Sequence, residues 1–227
     1  TKRTLPLIHH QQGFKSELLD GIDGKGNIIN LWFEGGGEYY SQDKKEWFNF
    51  NRSPEYPVSV IGSDSQGFWI ATQGGAIFFG NPDMGWRLVY QEKEEIKGTG
   101  ALKRFGSILL WEGIILRTGE HGTDFRSKVT FHSCNQKKGR LTQLGNRVFT
   151  GHNGLIGPVA FREDTSQFIF FLFTDKAEFQ HIRLGDVNDF IHGQESLLPV
   201  KGLRQSVLAC APLLKNEMYW LLTKNGS

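Results

Sequence analysis

At 227 residues, 38% of them hydrophobic and 13% aromatic, the chain is long enough to bury a substantial core in one large or two small domains. Its 26 Lys and Arg against 24 Asp and Glu leave a formal charge of +2, which excludes the strongly basic footprint of a dedicated nucleic-acid binder. Two cysteines, Cys134 and Cys210, are too few for a disulfide framework or a cysteine zinc site, and no apolar run reaches the roughly 18 residues of a membrane span.

In chain order, "RTLPLIHH" reads as a strand without a partner nearby. Its His9 and His10 point to opposite sides of such a strand and make no metal pair. Three units follow that lie over one another, from Gly21, Gly62 and Leu102. Each is a turn ending in Gly, an apolar strand, a Gly turn, a second apolar strand, a polar loop and an aromatic. The turn glycines Gly26, Gly67 and Gly106 recur at intervals of 41 and 39 residues, the size of a four-stranded propeller blade. "NIINLWF" and "FWIAT" suit pleated surfaces, while "EGGGE", "QGG" and "EG" read as hairpin turns between strands.

Two looser units follow, around "FIFFLF" and "MYWLLT", with "HSCNQKKGRLTQLGNRVFTGHNGL" read as an inserted loop between them and the third unit. Helix signals are confined to "VNDFIHG" and "GQESLL". The expectation is an all-β fold: a propeller of about five four-stranded antiparallel blades in one domain, residues 1–227. The blades fall roughly at 15–55, 56–97, 98–150, 151–200 and 201–227, with 1–14 closing the ring and removing its exposed edges. The chain begins at Thr1 rather than Met, so a leader or flanking domain is compatible with it and no compartment is assigned.

The stretch Thr118-x-Glu120-x-Gly122-x-x-Phe125 resembles the Asp-box of the sialidase-like (BNR) propellers. Ser41-x-Asp43 before Trp47 and Phe48 echoes it, with Lys45 in the place of Gly, and so does Asn81-x-Asp83-x-Gly85-Trp86. In that family the motif is a folding device. It caps the turn between the third and fourth strands of a blade, where a hydroxyl and a carboxylate satisfy backbone N–H groups and the aromatic tucks into the sheet. The resemblance therefore implies structural roles for Ser41, Asp43, Asp83, Gly85, Thr118, Glu120, Gly122 and Phe125 rather than calcium-ligating or catalytic ones.

It does not carry over the sialidase chemistry. That chemistry, as the family implies, uses three converging arginines and an Arg-Ile-Pro start, and "TKRTLPLI" lacks the tripeptide. No nucleophile elbow, metal-ligand spacing or phosphate loop is present, so neither a metal nor a cofactor is expected. Trp69 and Trp111, as sugar-stacking rings, with Arg104 and Arg162 are the candidate ligand-binding residues. The reading is a non-catalytic interaction or scaffold module with a protein partner. A glycan-binding lectin and a sialidase-like glycoside hydrolase are the alternatives.

Overall fold

A computed structural model describes residues 19–119, 122–149, 155–162, 167–173, 179–183, 187–193, 196–199, 207–213 and 218–223. The first sheet contains β1 (Leu19–Ile22), β2 (Ile28–Leu31), β3 (Gly37–Ser41) and β4 (Glu46–Phe50). The second holds β5 (Pro57–Gly62), β6 (Phe68–Thr72), β7 (Ala76–Asn81) and β8 (Gly85–Gln91). The third is built of β9 (Ile96–Phe105), β10 (Ile108–Gly119), β11 (Gly122–Asn135) and β12 (Arg140–Phe149). A fourth sheet follows from β13 (Leu155–Arg162), β14 (Gln167–Phe173), β15 (Phe179–Arg183) and β16 (Ser196–Pro199). The last sheet pairs β17 (Val207–Leu213) with β18 (Met218–Thr223).

Every sheet is an antiparallel meander in chain order. The first strand of one lies beside the first strand of another: β1 by β5, β5 by β9, β13 by β17. Successive four-stranded meanders joined along their first strands make a β-propeller. The two backbones of β1 and β5 meet closely because Gly62 carries no Cβ: one added there would overlap the carbonyl of Ile22. The expected closing strand, residues 1–14, lies outside the described residues.

The apolar run of β6 shows why the sheets stack. Its alternate side chains enter two different cores. Phe68 and Ile70 pack with Ile29, Leu31 and Tyr39 of the first sheet. Trp69 and Ala71 pack with Leu102, Leu109 and Trp111 of the third. Every residue of β6 is therefore buried. Tyr39 sits edge-on to Phe48 and to Phe68, at 5.1 and 6.4 Å between ring centroids.

The third unit departs from its sequence reading. Glu112-Gly113, expected as a hairpin turn, lies inside the continuous strand β10, where the pairing with β9 slips between Trp111 and Gly113. This is a β-bulge, and the ring of Trp111 occupies the space a Gly113 side chain would take. The β10–β11 hairpin consequently runs out to Gly119↔Gly122, and the stretch expected as an insertion becomes the end of β11 and all of β12. Of the two expected helical pieces, Val187–Ile191 forms α1, which packs on β12 with Ile191 against Gly145. The other contributes β16. No helix among the described residues is long and apolar enough to cross a membrane.

The shifted register also relocates the Asp-box echoes. Thr118↔Thr123 and Gly119↔Gly122 close the turn between the second and third strands, so this stretch is not the third-to-fourth turn that the resemblance implied. Phe125 lies within β11, and Glu120 falls outside the described residues. The third-to-fourth turn of this sheet is Asn135-Gln-Lys-Lys-Gly139.

The three third-to-fourth turns share one device. Ser41 Oγ accepts the N–H of Lys44 (3.3 Å), Asn81 Oδ1 that of Met84 (2.8 Å) and Asn135 Oδ1 that of Lys138 (3.0 Å). The next residue then takes positive φ: Lys45 at 59°, Gly85 at 76° and Gly139 at 56°. Asp43 and Asp83 are exposed at these turns, with Asp83 3.9 Å from Lys44 across the gap between sheets.

Two outcomes test this account by denaturant unfolding. Lys45→Gly removes the strain that the other two turns avoid and raises stability by about 0.5–1 kcal/mol. Trp69→Ala opens a cavity between two sheets and lowers stability by about 3–5 kcal/mol.

Candidate functional site

A meander places its first-to-second and third-to-fourth turns at one end and its second-to-third turn, with the link to the next sheet, at the other. The first end is stitched together. Buried Asp23 accepts the backbone N–H groups of Lys25 (3.0 Å), Asn27 (3.0 Å) and, across the sheet gap, Gly67 (2.9 Å). Backbone N–H groups of Gly24 and Lys25 donate to the carbonyls of Ser63 and Ser65. Ser65 Oγ in turn donates to the Gln136 carbonyl, and Arg87 to those of Lys138 and Gly139. With its polar groups occupied in this way, this end is a structural seam.

At the link end, between the second and third sheets, lies a buried polar cluster. Lys128 Nζ reaches Glu92 Oε1 (2.9 Å) and Glu94 Oε2 (2.6 Å), and the Tyr90 hydroxyl donates to Glu92 Oε2 (2.8 Å). Burial pushes the Glu92 carboxyl up, but the hydrogen bonds from Lys128, Tyr90 and the Glu94 backbone outweigh it, and the carboxyl is held below its usual range. His132 is fully buried, 4.5 Å from the Tyr90 ring. Neither of its nitrogens has a hydrogen-bond partner among the described residues. Burial takes its pKa down to about 4, with the Leu109 backbone and the charge of Glu92 pulling the other way. Burial also raises the Glu112 carboxyl to about 7, against the nearby Lys103 charge. Lys128, Glu92 and Tyr90 join the second and third sheets, whereas Glu112, paired with Val129, is on the opposite face of the third sheet from Lys128.

Among the described residues, the link end has an open cleft of about 530 Å³ between the segment that joins the first two sheets and the second sheet. Arg52, Pro54 and Tyr56 of the linking segment form one wall, and Phe78, Trp86 and Gln91 of the second sheet the other. Several of its polar side chains already have partners. Trp86 Nε1 donates to the Arg52 carbonyl (3.0 Å), Gln91 Nε2 to that of Gly74 (3.0 Å), and Ser53 Oγ accepts the N–H of Gly36 (2.7 Å).

Tyr56 stands apart. It is 48% exposed and held at φ 51°, a conformation that side chains resist. Two main-chain bonds fix it there: its N–H donates to the Phe33 carbonyl, and the Gln73 N–H donates to its own carbonyl. Phe33, itself 37% exposed, meets the Tyr56 ring edge-on at 5.2 Å.

The residues expected to bind ligand do not gather here. Trp69 and Trp111 are 0% exposed and belong to one core, so neither offers a ring face for stacking; their strands are buried on both sides. Arg104 pairs with Asp64 at the opposite end. Arg162 ends β13, and its side chain lies outside the description. Tyr56, Phe33 and Trp86 were missed because only the tertiary fold leaves them at the surface. The sequence signal was a "PEYP" link between two repeats, too short to bury its own aromatic.

His132 supplies a pH test. Its folded pKa is depressed, so the stability it permits is complete above about pH 6.5 and is lost as pH falls toward 4, where only the unfolded chain takes up the proton. Wild-type protein therefore loses about 3 kcal/mol relative to His132→Gln across that window, measured by urea unfolding at matched pH values.

No family model matches the chain, and no curated protein does. Among solved structures it is similar to the N-terminal domain of Nup159, at 9% identity and a TM-score of 0.42, over 94% of this chain and 64% of that one. It is also similar to the Pseudomonas aeruginosa periplasmic gluconolactonase PpgL, at 10% identity and a TM-score of 0.40, over 92% of this chain and 78% of that one. The chain thus spans less than two thirds of the first of these structures.

Proposed function

We propose that residues 1–227 form one propeller domain that acts as a non-catalytic interaction module and binds a protein partner through the cleft between the first link and the second sheet. The observation that carries this reading is Tyr56, an exposed aromatic held in a strained backbone conformation by main-chain bonds to both neighbouring sheets. Strain of this kind persists where the surrounding structure over-determines it, and binding sites are among the places where it collects. A ring fixed before contact loses little freedom on binding, which suits an anchor for a partner surface.

Other features support the same reading. The cleft is open and its walls are tied by hydrogen bonds, so it resembles a preformed docking groove more than an enclosed substrate chamber. The perturbed carboxyls Glu92 and Glu112 lie outside the cleft, whose lining carboxylate, Glu55, is exposed.

The test is affinity capture with the purified chain from an extract of the source organism, comparing wild type with Tyr56→Gly by quantitative mass spectrometry. Glycine accepts φ 51° without strain, so this variant keeps the fold while removing the ring. A partner enriched by wild type and depleted at least about tenfold by Tyr56→Gly is expected. Equal capture by both, specific retention on a glycan array, or turnover of a fluorogenic sialoside would replace the proposal.

A further inference from the structure

We infer that the Tyr56 end of the cleft is a cation subsite, which receives an arginine side chain from an extended segment of the partner; this rests on the interaction reading above. Three observations converge. First, the rings of Phe33 and Tyr56 form a T-shaped pair at the surface, and Tyr56 within it remains 48% exposed. Second, two exposed carboxylates flank that pair. Glu34 adjoins Phe33 and Glu55 adjoins Tyr56, and a side chain at Gly35, between the two, would come within 3.9 Å of Glu55 Cγ. Third, neither carboxylate makes a hydrogen bond or ion pair among the described residues, whereas Ser53, Trp86 and Gln91 of the cleft do.

The chemistry of that combination selects its occupant. An aromatic face attracts a cation through the ring quadrupole, and a neighbouring carboxylate adds charge-assisted hydrogen bonds. Arginine satisfies both at once, because its planar guanidinium stacks on the ring while its edge donates to a carboxylate; lysine does so less completely. The rest of the groove extends the match. Pro54, Phe78 and Trp86 continue the apolar floor beyond Tyr56, and at the Trp86 end stands Arg52, whose backbone carbonyl holds the indole. A bound segment therefore runs with its arginine at Tyr56, an apolar residue over Phe78 and Trp86, and an acidic residue toward Arg52. A volume of about 530 Å³ accommodates a few residues of such a segment rather than a single side chain.

The experiment uses the full chain, fluorescently labelled, on an array of octapeptides with degenerate flanks and a fixed central arginine, lysine, citrulline or glutamate. Hits are then titrated by fluorescence anisotropy against wild type, Tyr56→Gly and Glu55→Lys, at two salt concentrations. The expected result is enrichment of the arginine set over its neutral citrulline counterpart. Affinities should fall at least about tenfold in each variant and weaken with salt. Preference for glutamate or citrulline, or affinities indifferent to both substitutions, overturns the arginine subsite. Self-association of the chain that Tyr56→Gly abolishes also overturns it, with a second copy as the occupant. If no peptide binds while partner capture still depends on Tyr56, the subsite falls and the interaction module stands; if capture is also unaffected by Tyr56→Gly, both fall.

Discussion

Burial of both faces of the second sheet is the constraint on which the described structure depends. A single four-stranded meander has two apolar faces and cannot cover either by itself. Here β6 sends Phe68 and Ile70 one way and Trp69 and Ala71 the other, so the second sheet exists only as the filling between its neighbours. The apolar spacing of β6 is continuous rather than alternating for the same reason. An edge sheet would show the half-polar pattern of β8, whose outer position leaves Leu88 exposed.

Stacking two sheets brings turn backbones together, and their N–H groups need acceptors. At the hairpin end Asp23 meets this need from within the first sheet, reaching across to Gly67. The third sheet joins the same seam through Gln136, Lys138 and Gly139. A second tie, Lys128 with Glu92 and Glu94, closes the gap between the second and third sheets at the link end. Removing one member of that buried group would leave the others charged without a partner, so such a cluster fixes the relative position of two sheets more than it adds stability.

At the link end of the first and second sheets the described residues hold no equivalent buried ion cluster, and main-chain bonds of Tyr56 tie the two sheets instead. Where Glu92 fills the gap after the second sheet, Tyr56 stands at the surface after the first. The cleft is therefore a consequence of a difference between two successive links in an otherwise repeated design. The seam at the hairpin end keeps the sheets at a fixed separation, and the cleft keeps its shape because of it.

The sequence by itself determined the repeat and the antiparallel meander, because these follow from local rules: glycines at turns and apolar residues on strands. It also pointed to Ser41 as a turn residue, since a side chain that accepts an N–H three residues on needs no distant partner, but in the second turn it pointed to Asp83 where Asn81 makes that bond. What it could not determine was which glycine turns the chain and which only bends a strand. Gly113 looks like a hairpin glycine, yet it makes room for the Trp111 ring, a fact decided by packing. With Gly113 inside β10, the third-to-fourth turn of this sheet falls at Asn135 rather than at Thr118. Aromatics posed the same problem. Trp69, Trp111 and Tyr56 are alike as letters, and only the stacking of sheets decided that the first two are core and the last is exposed and strained.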